Sequence, residues 1–298
     1  MKADIEVGEQ GEGAVTGEKK FLRLFRTKTV PERSFCPYRV CPLGAHVDHQ
    51  HGLVSGFAID KGVTVYYVPS NGSVRIRSMN FAGEHSFQLS RIPERQGDWA
   101  DYLRGAAWSL SKRGPLRHGI HGLVEGTLPI GGLSSSAAVI ISFLAALCRV
   151  NDIKLSRPEL IATALEAETG YVGVNVGKLD QSCEVYSKKG YLLFLDTQDD
   201  RYELIPSSPK MPPMEIAIFF SGVERTLARS AFNVRVDELK ATSYALKAWS
   251  GMGYGKFADS RLRDVPVEIF DKYGNQLPEN WRKRARHYYS EVDRVRRG

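Results

Sequence analysis

Apolar residues along this chain recur with two different periods, and the two periods predict different elements. Residues 63–68 (Val-Thr-Val-Tyr-Tyr-Val) and 74–78 (Val-Arg-Ile-Arg-Ser) are β-branched or alternating and bounded by Gly, Asn and Ser. They predict a strand pair across the turn Pro69-Ser70-Asn71-Gly72. Helical spacing appears at 99–113, where Trp99, Tyr102, Leu103, Ala106, Ala107 and Leu110 share a face, and the apolar stretch 137–150 is long enough for a buried helix. Ser156-Arg157-Pro158-Glu159 is a capping box with proline in the first turn, so a helix is expected over about 157–169. Strands are expected again at 191–196 and 215–220, followed by a long helix over about 227–249. Residues 1–20 lack apolar periodicity and predict a disordered tail. The stretch 207–213 (Ser-Ser-Pro-Lys-Met-Pro-Pro) has the composition of a linker. The fold class expected from this order is α+β, and no internal repeat interrupts it.

Composition narrows the picture. With 298 residues and 42% hydrophobic composition, the chain is long enough to bury one large core or two ordinary ones. Its most apolar stretch, 137–148, falls short of the ~20 residues that cross a bilayer, and the first thirty residues hold no signal-peptide core. No membrane association is expected, and a cytoplasmic location is. Cys36, Cys41, Cys148 and Cys183 form no C-x-x-C pair, so they read as thiols and as small packing residues. The net charge of +7 invites a nucleic-acid reading, but much of the excess sits in the C-terminal tail. Between Arg282 and Gly298 there are seven Lys and Arg against two acids. Without aromatic stacking platforms or a recognition motif beside it, such a run is a solvated helix face, and no nucleic-acid partner is expected.

Three places carry candidate chemistry. The loop Gly131-Gly132-Leu133-Ser134-Ser135-Ser136 precedes the helix expected at 137–150. Glycines admit a close ligand, and a helix N-terminus offers unbonded amides and positive partial charge, so phosphate is the natural guest. A Walker A loop would need Gly-Lys-Ser/Thr and a nucleophile elbow Gly-x-Ser-x-Gly; neither is present. Second, on the helix over 157–169 the apolar face of Leu160, Ile161, Ala164 and Leu165 steps on to Glu168. A carboxylate on a buried stripe costs several kcal/mol unless paired or metal-bound, which favours Glu168 over Glu166 as a site residue. The competing reading is a helix end where Glu168 reaches solvent. Third, 36–52 packs Arg39, His46, Asp48, His49 and His51 between Pro and Gly punctuation. Imidazole plus carboxylate also suits a hydrolytic zinc or iron site, so His46, Asp48, His49 and His51 carry that rival reading.

The segment 36–52, followed by Gly131 to Ala138, resembles the first two signatures of the GHMP small-molecule kinases. The resemblance is to the galactokinase branch, and within it to the galacturonate-specific kinases. It runs from about Phe21 to Gly298 and implies a ribosomal-protein-S5-like N-terminal domain over 21–206, then an incomplete C-terminal domain over 214–298. The family continues into a third Gly-rich signature and further strands, so the chain is expected to be C-terminally truncated, its basic last helix lacking a packing surface. The implied reaction is ATP-dependent phosphorylation of a sugar or uronic acid at its anomeric hydroxyl. ATP and Mg2+ are the implied cofactors, and a small-molecule sugar or uronic acid the implied partner. A galactokinase or arabinokinase relative, or an inactive sugar- or nucleotide-binding homologue, are the alternatives.

What the resemblance implies for single residues follows its motifs. Gly131, Gly132, Leu133, Ser134, Ser135 and Ser136 would cradle phosphate, and Ser136 with Glu168 would hold magnesium. Trp99 and Tyr102 lie in a segment placed near the nucleotide base, although aromatic core packing explains those rings as well. In Gly177-Lys178-Leu179-Asp180-Gln181, Asp180 would face the attacking hydroxyl and Arg39 would lie close enough to keep it ionised; an Asp–Arg pair is also a structural device. Asp48 would accept from sugar hydroxyls, His46 would lie near the sugar's 6-position, and Gly177 would belong to the same turn. Four departures bear on detail. The phosphate loop is one residue shorter before Leu133, Tyr38 replaces a glycine, Ala45 replaces a glutamate and Phe232 replaces a sugar-contacting tyrosine.

Overall fold

In a computed structural model, which describes residues 12–128, 132–212, 214–220 and 232–298, the valine-rich run at 63–68 is the C-terminal part of an 18-residue strand, β2 (Leu53–Ser70). The chain divides into two compact units that interleave in sequence. The first takes the residues up to Arg39 and Ile59–Gly173; the second takes Val40–Ala58, Val174–Phe219 and the C-terminal helices. This differs from the linear division at 206 and 214, because the chain passes from the first unit to the second at Val40 and returns along β2.

The first unit contains β1 (Glu32–Val40), the latter part of β2, β3 (Ser73–Ser78), β4 (Glu84–Gln88) and β5 (Gly119–Gly126), with strand order β4-β3-β5-β2 and β1 also on β2. The expected pairing of 63–68 with 74–78 is therefore corrected: β5 lies between them, antiparallel to β2 (Val63 opposite Gly126) and parallel to β3 (Arg75 opposite His121). Gly119 makes the insertion possible, since a Cβ there would stand 1.9 Å from the Ser73 carbonyl oxygen and 3.0 Å from Ser70 Oγ. Helices α2 (Asp101–Ser111), α3 (Ser135–Val150) and α4 (Arg157–Glu166) pack together. Leu103, Ala106, Ala107 and Leu110 of α2 and Ile140, Phe143, Leu144 and Leu147 of α3 are fully buried. The Ser156–Glu159 capping box is formed.

The expected tail at 1–20 is corrected where it is described, because α1 (Glu12–Phe25) is helical. Its anchor lies at the far end, where Phe21 packs with Tyr66 and Leu123, so helix propagates backwards through polar residues whose pattern alone predicts none.

In the second unit the start of β2 pairs antiparallel with β6 (Tyr191–Asp196), Leu53 opposite Asp196, and β6 pairs with β7 (Tyr202–Pro206). Among the described residues, four α-helices complete it: α5 (Leu179–Tyr186), α6 (Phe232–Ser250), α7 (Val267–Tyr273) and α8 (Glu279–Arg297). Residues 227–231, expected to start α6, lie outside the described residues. The strand expected at 215–220 is absent, and Ile216, Ile218 and Phe219 are exposed. Alternation supplies a face but not the hydrogen-bonded neighbour a strand requires. The expectation for the last helix is also corrected. Ala285, Tyr288, Val292 and Val295 of α8 are buried in a core shared with Val47, Val54, Leu239, Leu246 and Leu262, while the arginines of its other face stay in solvent.

Candidate active site

The N-terminus of α3 lies in the first unit. Gly132 and Ser134 both have left-handed backbones, each with φ of 69°. This suits glycine but strains serine. Ser134 caps α3 through its carbonyl, which accepts from Ala138 N at 3.1 Å, but its side chain makes no capping bond. The hydroxyl is buried and has no hydrogen-bond partner among the described residues. An orphan donor beside the free amides of a helix start fits an anion such as a phosphate. Leu133 and Ser135 flank it, Ser136 lies in the first turn of α3 at 8% exposure, and Gly131 lies outside the described residues.

Arg39, at the end of β1, is tied to this loop. Its amide donates to Leu133 O at 3.4 Å and its Nη1 to Gly132 O at 3.1 Å.

Helix α4 gives way after Glu166 to a π-helical turn, Ala167–Val172, which contains Glu168. Such turns redirect side chains and recur at functional sites. Glu168 is 1% exposed, against the reading of a solvated helix end. Glu166 has a different role: its carboxylate accepts from Ser109 Oγ and Lys112 Nζ, both at 2.8 Å. Burial opposes its ionisation, but these partners hold it below the usual carboxylate range. Tyr102 of α2 lies in the field of Glu168. Burial first, then that carboxylate, pushes its phenol up to about 12. The turn bearing Glu168 packs on α3, the helix carrying Ser136. A buried carboxylate and a serine hydroxyl are the oxygen donors magnesium takes, so these residues fit that ion. Trp99 stacks on Phe81 at 5.7 Å and 12° and takes the edge of His85 at 5.1 Å and 89°.

The second unit holds the other candidates. Asp48 opens a short 3-10 turn, and its Oδ2 accepts from Leu179 N at 3.1 Å. Gly177 lies so near that a Cβ would stand 2.4 Å from the Asp48 carboxyl and 2.6 Å from His49 N. Phe232 packs between two histidines, with ring centroids 6.3 Å from His46 and 5.7 Å from His49. Asn233, the next residue, accepts from Asn175 N at 2.9 Å. Burial, offset by Asp48 and reinforced by His46 and Arg261, lowers the His49 imidazole to about 4, so it is neutral at physiological pH. Gln50 fixes its tautomer. Gln50 Oε1 accepts from Leu262 N at 3.0 Å, which turns Nε2 toward His49 Nδ1 at 3.4 Å; Nδ1 is then the acceptor and the proton sits on Nε2. Asp180 is half-buried in the first turn of α5.

Sequence reasoning missed what holds Ala45. Helix α8 supplies both supports: His287 Nε2 donates to Ala45 O at 2.9 Å, and Glu291 Oε2 accepts from Gly44 N at 2.9 Å. Gly44 has φ of 89° and would place a Cβ 2.5 Å from Leu53 O. The rival metal site is not supported, since among the described residues no three His, Cys, Asp or Glu side chains are gathered around a common point. None of the four cysteines is in a disulfide, and no described helix is long and apolar enough to cross a membrane.

Residues 101–188 match the GHMP kinases N-terminal domain. The chain is 35% identical over 284 residues to a galacturonokinase of Arabidopsis thaliana, covering 88% of this chain and 66% of that protein. It is 34% identical over 251 residues to a galactokinase of Thermococcus kodakarensis, covering 84% and 69%. The chain thus spans about two thirds of the length of these relatives. The crystal structure of Lactococcus lactis galactokinase complexed with galactose superposes with a TM-score of 0.80 at 25% identity, covering 95% of this chain and 72% of that one.

Proposed function

We propose, from the premise that this chain belongs to the galactokinase branch of the GHMP kinase family, that it transfers the γ-phosphoryl group of ATP to the anomeric hydroxyl of galacturonate. The observation that carries the transfer reading is the anchoring of Arg39 on the loop whose buried Ser134 hydroxyl has no hydrogen-bond partner among the described residues. The loop amides and Ser134 bind phosphate oxygens, and the guanidinium held on the loop brings positive charge to them. Ser136 and Glu168 would hold magnesium, which when bound would neutralise phosphate charge.

Asp180 accepts the proton of the anomeric hydroxyl as that oxygen bonds to the γ-phosphorus and the bond to the ADP oxygen breaks. Asp48 accepts from sugar hydroxyls. Its carboxylate is oriented by Leu179 N, and Gly177 leaves the space it occupies.

Ala45 supports the uronate. A glutamate here would face the sugar's 6-position, and two carboxylates about 4 Å apart repel by roughly 4 kcal/mol at an effective dielectric near 20. Alanine removes that repulsion, and His46 remains as a donor. The second reading, a neutral-sugar galactokinase, is favoured by the galactokinase relatives; Phe232, without a hydroxyl, weighs against it.

Incubation with magnesium-ATP and a panel of galacturonate, galactose and arabinose, with ADP and anomeric phosphate measured separately, tests the assignment. Galacturonate should give both products in equal amount. Galactose giving the higher kcat/KM would replace the substrate, and ADP without sugar phosphate would remove the reaction.

A further inference from the structure

Helix α8 carries seven Lys and Arg after Trp281, and they divide into two groups. Four are in ion pairs: Lys283 with Glu279, Arg284 with Glu238, Arg294 with Glu291 and Arg297 with Asp293. Among the described residues no carboxylate lies within ion-pair distance of the other three, Arg282, Arg286 and Arg296. These three line a cleft of about 810 Å³ between α8 and the segment from Leu262 to Asn275. A volume of that order is what a small-molecule site has.

The cleft runs along one face of the helix. Positions 282, 286, 289, 293 and 296 fall within about 80° of arc at 3.6 residues per turn. His287 and Glu291, which hold Ala45 and Gly44, project from the opposite side, so the cleft is separate from the residues assigned to the sugar.

Its charges change sign along its length. At one end Arg296 is joined by Arg263, whose direction is set by Asp196 (Nη2 to Oδ2, 2.6 Å) and Gln198 (Nε to Oε1, 3.0 Å). The Nη1 of Arg263 is buried with no hydrogen-bond partner among the described residues. Tyr288, 3% exposed, lines the same end; burial raises its phenol, and Arg263 and Arg296 act against that rise. Midway, burial, then Tyr288, then Asp271 and Glu268 raise the Tyr289 phenol, which places these two acids in the middle. Neither acid is in an ion pair among the described residues, and the third acid of the lining, Asp293, is taken up by Arg297. Arg282 and Arg286 stand at the other end, Arg286 ten residues, or about 15 Å, along the helix from Arg296.

This order of charges selects a guest. Guanidiniums bind phosphate and carboxylate groups through paired donors. Carboxylates between them repel an anion but accept from hydroxyls. A bare phosphate satisfies one end alone, and an apolar molecule satisfies neither. A polyhydroxylated body with an anion at each end matches all three parts.

We propose that this cleft binds a phosphorylated sugar acid, its phosphate held by Arg263 and Arg296, its carboxylate by Arg282 and Arg286, and its hydroxyls by Glu268 and Asp271. The inference goes beyond the phosphoryl transfer proposed above and does not depend on it, since no residue of that site enters the argument.

Calorimetric titrations of the full chain without nucleotide, using galacturonate 1-phosphate, galactose 1-phosphate, galacturonate and inorganic phosphate, present both anions or only one. The first should bind about tenfold tighter than any of the others. Arg296→Gln should remove its advantage over galacturonate, and Arg286→Gln its advantage over galactose 1-phosphate. Both side chains are exposed, so the melting temperatures should stay at that of the parent. Asp48→Asn separates the cleft from the sugar side. Binding that both arginine variants weaken and Asp48→Asn keeps supports the proposal, as do two binding events of which the arginine variants remove one and Asp48→Asn the other. Binding lost in Asp48→Asn and kept in both arginine variants would place the ligand elsewhere and overturn it. No binding of galacturonate 1-phosphate by the parent, or equal affinity for inorganic phosphate, would overturn it as well.

Discussion

Arg39 Nη1 donates to the carbonyl oxygen of Gly132 at 3.1 Å, so the guanidinium and the loop at the start of α3 are fixed to one another. An arginine held against this loop places positive charge beside a phosphate bound there. Arg39→Met should lower kcat by about 10²–10³-fold, the usual cost of removing one charge-stabilising donor. Arg39→Lys should recover little, because an ammonium lacks the fork that reaches loop and ligand together. Steady-state kinetics at saturating ATP and sugar check both.

Gly177 and Asp48 are in contact at the limit of what backbone allows. A methyl group at 177 would stand 2.4 Å from the Asp48 carboxyl, which Leu179 N holds, and 2.6 Å from the backbone nitrogen of His49, which cannot turn aside. Gly177→Ala should destabilise the protein by about 1–3 kcal/mol and weaken sugar binding more than nucleotide binding. Thermal melts and two calorimetric titrations separate these effects.

The elements most legible in the sequence were those whose signals were local. The capping box at Ser156 and Glu159 fixed the start of α4 at Arg157, and the apolar run of α3 fixed its end at Val150, although α4 gives way to the π-helical turn after Glu166 and α3 starts at Ser135. What depended on distant partners was not legible. Nothing in Val63–Val68 and Val74–Ser78 says that β5 will enter between them, because the fit depends on Gly119, some fifty residues away. The exposed run at 215–220 alternates like a strand and is none. At the candidate site, register on α4 singled out Glu168 over Glu166, and the buried position of Glu168 agrees with it. The supports were hidden: Glu291 and His287 hold Gly44 and Ala45 from the far end of the sequence, and a basic, apparently solvated helix gave no sign of that duty.

His49 should make stability depend on pH. Its folded value, about 4, lies below the ordinary 6.5, so the unfolded chain takes up the proton first on acidification. The contribution is complete above about pH 6.5 and is lost progressively as pH falls toward 4. Between pH 7.5 and 5 this one group should cost about 2 kcal/mol. His51, also lowered by burial and then by Arg261, adds in the same direction. His49→Gln should flatten the profile, and denaturant unfolding at the two pH values measures the difference.

Ala45→Glu tests the substrate without touching the phosphate loop. Roughly 4 kcal/mol of repulsion corresponds to more than a hundredfold in affinity. The ratio of kcat/KM for galacturonate to that for galactose should therefore fall by about that factor. An unchanged ratio would remove galacturonate as the assigned sugar and leave the kinase reaction standing.

The most direct measurement is phosphorus NMR of the reaction of the chain with magnesium-ATP and galacturonate, run beside Asp180→Asn. A new phosphorus signal coupled to the anomeric proton should grow in step with ADP and be slowed by orders of magnitude in Asp180→Asn while ATP affinity is kept. Phosphate on any other carbon, ADP without a sugar phosphate, or equal rates in the two proteins would contradict it.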